Sequence, residues 1–251
     1  MSGIENAALI VLVAIVPLVV LTLTSFVKVS VVLSLLRNAI GAPDAPSGLV
    51  ITGLSLVLTF FVMAPVAIDM VQAAATPAPT QPAPGVPPGQ PPAPAPLPPQ
   101  GGEAPPPGQA AGERSVEATL RVLVPAQYQP ELAAAQRAAE PLRGFLVKHT
   151  RDADRETFTS LASKLGNPAG GDELWVLAPA FITTELREAF LIAVLIFIPF
   201  LVIDLIVGLA LASLGLQTSS PQTIALPLKL VLFVAVDGWR LLLDALLRGY
   251  A

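Results

Sequence analysis

Cysteine is absent from the 251 residues, and His149 is the sole histidine. Disulfides, thiolate metal sites and cysteine nucleophiles are therefore excluded, and a histidine-based metal site has too few ligands. Charge is scarce as well: 13% of residues are Asp, Glu, Lys or Arg, against 53% hydrophobic. A soluble domain needs polar surface to cover its core, so this excess of apolar residues points to lipid or to a large oligomeric interface. The net charge of −4 and the lack of any basic patch argue against nucleic acid as a partner. No nucleophile motif and no phosphate-binding loop is present. Asp152, Asp154 and Glu156 resemble a metal cluster on paper, but Arg151 and Arg155 are interleaved with them, which reads as a solvated helix start. The chain thus reads as non-enzymatic, with no catalytic, cofactor-binding or metal residues and no cofactor.

What is present in quantity is apolar sequence. Four runs are long enough to span a bilayer as helix, which takes about 20 residues. They are Ile4–Val27, Leu49–Ile68, Ala189–Leu214 and Ile224–Leu247. The leader Met1–Asn6 has no Lys or Arg, and no small-residue cleavage site precedes Lys28, so the first run reads as a retained helix and not a signal peptide. The predicted fold class is an all-α membrane protein of two kinked helical hairpins, joined by a Pro-rich linker and a small helical insert.

The expected boundaries are an N-terminal hairpin over 1–75, a linker over 76–112, an insert over 113–178 and a C-terminal hairpin over 179–251. The linker holds 15 of the 27 prolines. Proline fixes φ and removes the backbone donor, so the segment reads as an extended, solvated spacer. Within the insert, helical patterning covers Glu131–Thr150, with Leu132, Leu142, Phe145 and Leu146 as its apolar positions, and a second helix is expected over Asp154–Leu165. An even number of spans puts both termini and the insert on one side. Lys28 and Arg37, read as lying in the short first loop, place that loop in the cytoplasm by the positive-inside rule and the insert in the periplasm.

Each span carries something a simple anchor would avoid. Pro17, Pro65, Pro199 and Pro227 each remove a helix hydrogen bond, so kinked or broken helices that pack against protein are expected. Asp204, Lys229 and Asp237 fall within apolar runs, and a charge at a helix centre in lipid costs roughly 2.5–3.5 kcal/mol. All three are therefore expected to be buried charges, each with a partner or water. Lys229 and Asp237 stand about 12 Å apart along one helix axis, so they cannot pair with each other. Lys229 with Asp204 across the hairpin, or with an acid of a neighbouring subunit, is the expected pair. A small secondary transporter that uses these charges for coupling is the alternative reading. Such transporters often contain internal repeats, and the two hairpins show no self-similarity.

These segments resemble the SctR/FliP family of type III secretion and flagellar export. The resemblance lies in Thr24–Asn38, in Leu56–Pro65 and in Pro179–Leu186. It continues through Pro199–Asp204 and through Thr223–Trp239, which ends in Val-Asp-Gly-Trp. It implies a homo-pentamer joined to SctS-like and SctT-like subunits in an export gate. Unfolded secreted proteins pass through its central pore, and the assembly sits in the bacterial inner membrane, multi-pass and protruding towards the periplasm. Glu185, Arg187 and Glu188, read as preceding the third span, are candidates for subunit contacts or a solvated helix start. Flagellar members often begin with a cleavable signal and injectisome members usually do not, which favours a virulence-type system. Two departures stand out: the Pro-rich stretch is not part of the family pattern, and the tip of the second hairpin lacks the family's methionine cluster. The pore-loop candidates there are Leu216, Gln217, Thr218 and Ser219, and a loop of Gln, Thr and Ser is expected to seal differently from flexible thioethers.

Overall fold

The computed structural model describes residues 21–42, 47–76, 129–167, 169–216 and 220–250. Among them every regular element is helical. The helices are α1 Phe26–Ile40, α2 Gly48–Ala75, α3 Gln129–His149, α4 Asp152–Lys164, α5 Leu174–Ser213, α6 Pro221–Ala235 and α7 Gly238–Leu247, followed by a 3-10 turn at Arg248–Tyr250. Pro17, the Pro-rich linker and Gln217–Ser219 lie outside the described residues, as do most of the first apolar run and the side chain of Leu132.

The first departure from expectation is α1. Lys28 and Arg37, read as loop charges, lie on a helix. Val29, Val32, Leu33, Leu36 and Ala39 are buried at spacings of three and four, so one face of the segment is core and the helix follows from packing. Its β-branched composition is overridden by that burial. Thr24 separates α1 from the helical residues before it: its hydroxyl donates to the Leu21 carbonyl and accepts from the Phe26 N–H. At the other end Gly41 adopts φ +85° and donates its N–H to the Asn38 carbonyl, the left-handed cap that glycine takes without steric cost.

The long helices also differ from their expected bounds. Helix α5 begins at Leu174, fifteen residues before the expected Ala189, so the boundary drawn between residues 178 and 179 falls inside one helix. Pro179 and Pro199 are both internal to it. Helical structure likewise runs through Pro65 in α2 and Pro227 in α6. The break in the fourth apolar run comes elsewhere. Asp237 has φ +52° and ψ +51° and separates α6 from α7, so Ile224–Leu247 is two helices and not one span. Helices α2 and α5 are long and apolar enough to cross a membrane, whereas α6 has 15 residues.

The two ends of the chain are packed together. Helix α1 lies against α5, α2 and α6, and its core face meets Ile51, Ala189, Phe200 and Phe233. A second core gathers Leu23, Met63, Phe145, Leu146, Leu177 and Phe181, which docks the insert helix α3 on α2 and α5. Helix α4 is fixed to α5 by Thr184, whose hydroxyl donates to Asp154 at 2.8 Å and accepts from the Arg151 N–H at 3.2 Å. Asp154, read as part of a solvated helix start, is therefore a buried acceptor. Asp152 is exposed and pairs with Arg155 at 2.8 Å.

The α6–α7 joint requires its glycine. A Cβ on Gly238 would stand 2.2 Å from Phe233 Cδ2, and that ring is itself buried. Gly238→Ala is expected to destabilise the chain by about 1–3 kcal/mol through overpacking. Asp237→Gly should leave stability equal or higher, because it relieves a left-handed non-glycine residue. Thermal unfolding of the two variants in detergent checks the opposite signs.

Candidate functional site

Lys229 on α6 points into the chain, with its side chain 6% exposed. Its Nζ lies 2.7 Å from Asp204 Oδ2 on α5 and donates to the Ala39 carbonyl at 3.0 Å. That carbonyl belongs to the last turn of α1, where helical acceptors lack intrahelical donors and the helix dipole is negative. One ammonium thus neutralises a carboxylate and caps a helix, tying three helices at a point. Asp204 and Lys229 are brought together. Asp237 is not brought to this pair: it is exposed in the single chain, where the chain turns between α6 and α7.

A second cluster was missed by the sequence reading. Lys28 is 1% exposed, with Nζ 2.6 Å from Glu188 Oε2 and 3.4 Å from Glu185 Oε1. Glu185 and Glu188 are three residues apart on α5 and therefore share the face turned to α1. The Tyr250 hydroxyl donates to Glu185 Oε2, and Lys28 Nζ lies 4.0 Å from the centre of the Tyr250 ring. A Cβ on Gly249 would approach Nζ to 2.9 Å, so glycine there lets the terminal turn close over the cluster. Glu185 and Glu188 are thus partners within the chain, while Arg187 between them is exposed. One signal was available in the sequence: Lys28 stands between Val27 and Val29, on the apolar stripe of α1.

Burial raises the Tyr250 phenol well above its ordinary value, and the Glu185 charge adds to the effect, so Tyr250 remains a neutral donor. Beside it, burial lowers His149 below its ordinary value of 6.5. His149 Nδ1 lies 2.8 Å from the Phe145 carbonyl, so the neutral ring donates from Nδ1. Among the described residues no group of His, Asp or Glu is arranged to hold a metal ion.

The third feature is apolar. Helix α5 exposes Phe190, Leu191, Val194, Leu195, Leu201 and Leu205, and α2 exposes Phe60, Phe61 and Val57. A cavity of about 320 Å³ opens in the same region, between Leu195, Pro199, Phe200, Phe233 and Leu241. Leu216, at the start of the α5–α6 loop, is half-exposed. Lys28 and Lys229 are drawn inwards and paired, and the outer surface of the long helices is mostly apolar.

The Lys229–Asp204 pair predicts an asymmetry. Asp204 is 40% exposed and keeps water when Lys229 is removed, whereas Lys229 without Asp204 is a buried cation with one carbonyl partner. Asp204→Asn should therefore cost more stability than Lys229→Met, approaching the roughly 3–5 kcal/mol of an uncompensated buried charge. The charge-reversed double variant should recover only part of the loss, since an Asp at 229 cannot donate to Ala39. Folded yield and thermal stability in detergent provide the comparison.

The FliP family's model matches residues 9–84 and 110–246 of this chain. Among curated relatives, the flagellar biosynthetic protein FliP of Pectobacterium carotovorum subsp. carotovorum is 37% identical over 236 residues, covering 93% of this chain and 73% of that protein. The hypersensitivity response secretion protein HrcR of Ralstonia nicotianae is 34% identical over 258 residues, covering all of both chains. The pathogenicity-related ORF2 product of Xanthomonas campestris pv. glycines is 34% identical over 246 residues, covering 96% of this chain and 94% of its own length. The family resemblance read from the motifs and the family identified by comparison agree, so this chain belongs to the FliP family of secretion-apparatus proteins.

Proposed function

We propose that this chain is a core subunit of a type III secretion export gate in the bacterial inner membrane. It assembles as a homo-pentamer with SctS-like and SctT-like partners, and unfolded secreted proteins cross the central pore. The observation that carries the reading is the distribution of polarity. The described face of α5 presents large apolar side chains outward, while Lys28, Lys229 and their acids are satisfied inside the chain. An apolar surface of this extent needs lipid or protein to cover it. Relatives named for flagellar biosynthesis and for hypersensitivity-response secretion support the export role, and the latter support an injectisome.

In this reading the α5–α6 loop faces the pore, with Leu216, Gln217, Thr218 and Ser219 as gate candidates, and the insert with α3 and α4 faces the periplasm. The Lys229–Asp204 pair holds the subunit together and carries no coupling proton. The second bond of the ammonium, to the Ala39 carbonyl, supports that role because it ties Lys229 to the end of α1.

Native mass measurement of the complex purified in mild detergent tests the assembly. Five copies co-purifying with two further small membrane subunits are expected, and an active monomer that carries a small solute would overturn the reading. The gate is tested by solute leak through the reconstituted complex. Replacing Gln217, Thr218 and Ser219 with methionine should lower the leak, because flexible thioethers fill an irregular constriction better than hydrated polar side chains. Unchanged leak would remove this loop from the seal.

A further inference from the structure

The C-terminal turn Arg248–Tyr250 closes over the Lys28–Glu185–Glu188 cluster through Tyr250, while Arg248 pairs with Asp244 on the outer side at 2.6 Å. Arg248 and Gly249 are exposed, whereas Tyr250 is partly buried. Its ring stacks on Phe145 at 6.1 Å between centroids and lies 5.4 Å from His149. Its hydroxyl is bound to Glu185, and Lys28 approaches the ring. His149 in turn contacts Phe145 at 4.3 Å, so the imidazole is part of the aromatic seat on which Tyr250 rests.

The seat suits a neutral imidazole. Nδ1 is committed to the Phe145 carbonyl, and Nε2 is buried without a partner. Protonation would place a new donor at Nε2 where no acceptor waits, which costs desolvation without return. The groups facing the ring do not offset that cost. Helix α3 contributes Lys148 and α1 contributes Lys28, both cations. From α5, Glu185 is bound to Tyr250 and Lys28, and Glu188 is bound to Lys28. Helix α2 lines the site with Val62, Pro65 and Val66, none of them charged. An open cavity of about 220 Å³, bordered by Lys148, His149 and Tyr250, adjoins the ring.

We propose that His149 is a proton-operated latch for the C-terminal turn: neutral, it seats Tyr250 over Lys28 and Glu185; protonated, it turns outward through the adjoining cavity and releases the turn. Release exposes the Lys28 cluster to water. The sign follows from the lowered histidine. Below about pH 6.5 the unseated state takes up the proton first, so seating weakens as pH falls and levels off once pH is below the value of the seated ring. A two-state turn responds by as much as its two states differ in proton affinity.

The absence of cysteine makes the test direct. The substitution Arg248→Cys, at a side chain 77% exposed, gives a unique site for a nitroxide on the full chain in mild detergent. The immobile spectral fraction should predominate at pH 7.5 and fall about twofold or more by pH 5.5, with a midpoint below 6.5. His149→Gln and His149→Phe should remain immobile at both pH values, and Tyr250→Ala should be mobile at both. A label indifferent to pH overturns the latch. A transition that persists in the folded His149 variants assigns it to the carboxylates and also overturns it. Failure of both neutral replacements to fold does the same, because the latch gives the neutral ring only a packing role.

Discussion

Burial of α1 among the C-terminal helices is the constraint on which the rest depends. This 15-residue helix carries a lysine in its first turn and an unsatisfied carbonyl in its last. Both ends are met by charges from the other half of the chain: Lys28 by Glu185 and Glu188 of α5, and the Ala39 carbonyl by Lys229 of α6 with Asp204 beside it. Between them, Val29, Val32 and Leu36 pack as ordinary core. A lysine at either position without its acid would be a buried cation, so the first and last thirds of the chain depend on each other for a low-energy state. Helix α1 and the C-terminal helices accordingly share one core.

That arrangement explains the unusual surface. Lys28 and Lys229 are paired with acids inside the chain, and on α4 Arg155 bridges Asp152 and Asp172. The long helices expose mostly apolar side chains, with Asp69 and Arg187 as exposed charges on them. The buried ion pairs lie inside the chain and the apolar side chains outside, the reverse of a soluble protein that pairs through charged rims. An apolar surface of this extent needs lipid or protein to cover it.

Much of this was legible. Apolar run length gave an all-helical chain, and motifs in order gave the family. Helical patterning located α3 and α4 within two residues of their observed ends. Axial distance separates Lys229 from Asp237 and leaves Asp204 or an acid of a neighbouring subunit as its partner; within the chain it lies 2.7 Å from Asp204. Other expectations differ from the structure, each for a physical reason. Lys28 and Arg37 looked like loop charges because a polar residue between two apolar runs usually marks a loop, yet the stripe from Val29 to Ala39 continues as helix. The start of α5 was set too late because Glu185 and Glu188 lower local hydropathy, although their helical spacing is intact. Asp237 was placed inside a span because hydropathy does not register a left-handed backbone turn.

The sequence by itself determined which segments must leave water, since burial of apolar area depends on composition and run length. It also determined where helices are possible and which family the motifs belong to. Only the tertiary structure decided which charges are buried and with whom. Periodicity defines a face on each helix, but it does not say which two faces meet. Lys28 and Asp237 both sit in apolar surroundings along the chain; one is sealed against two glutamates and a tyrosine, and the other is exposed at a helix joint. The difference lies in the direction from which α5 and the C-terminal turn approach, which is set by packing across more than 150 residues of sequence.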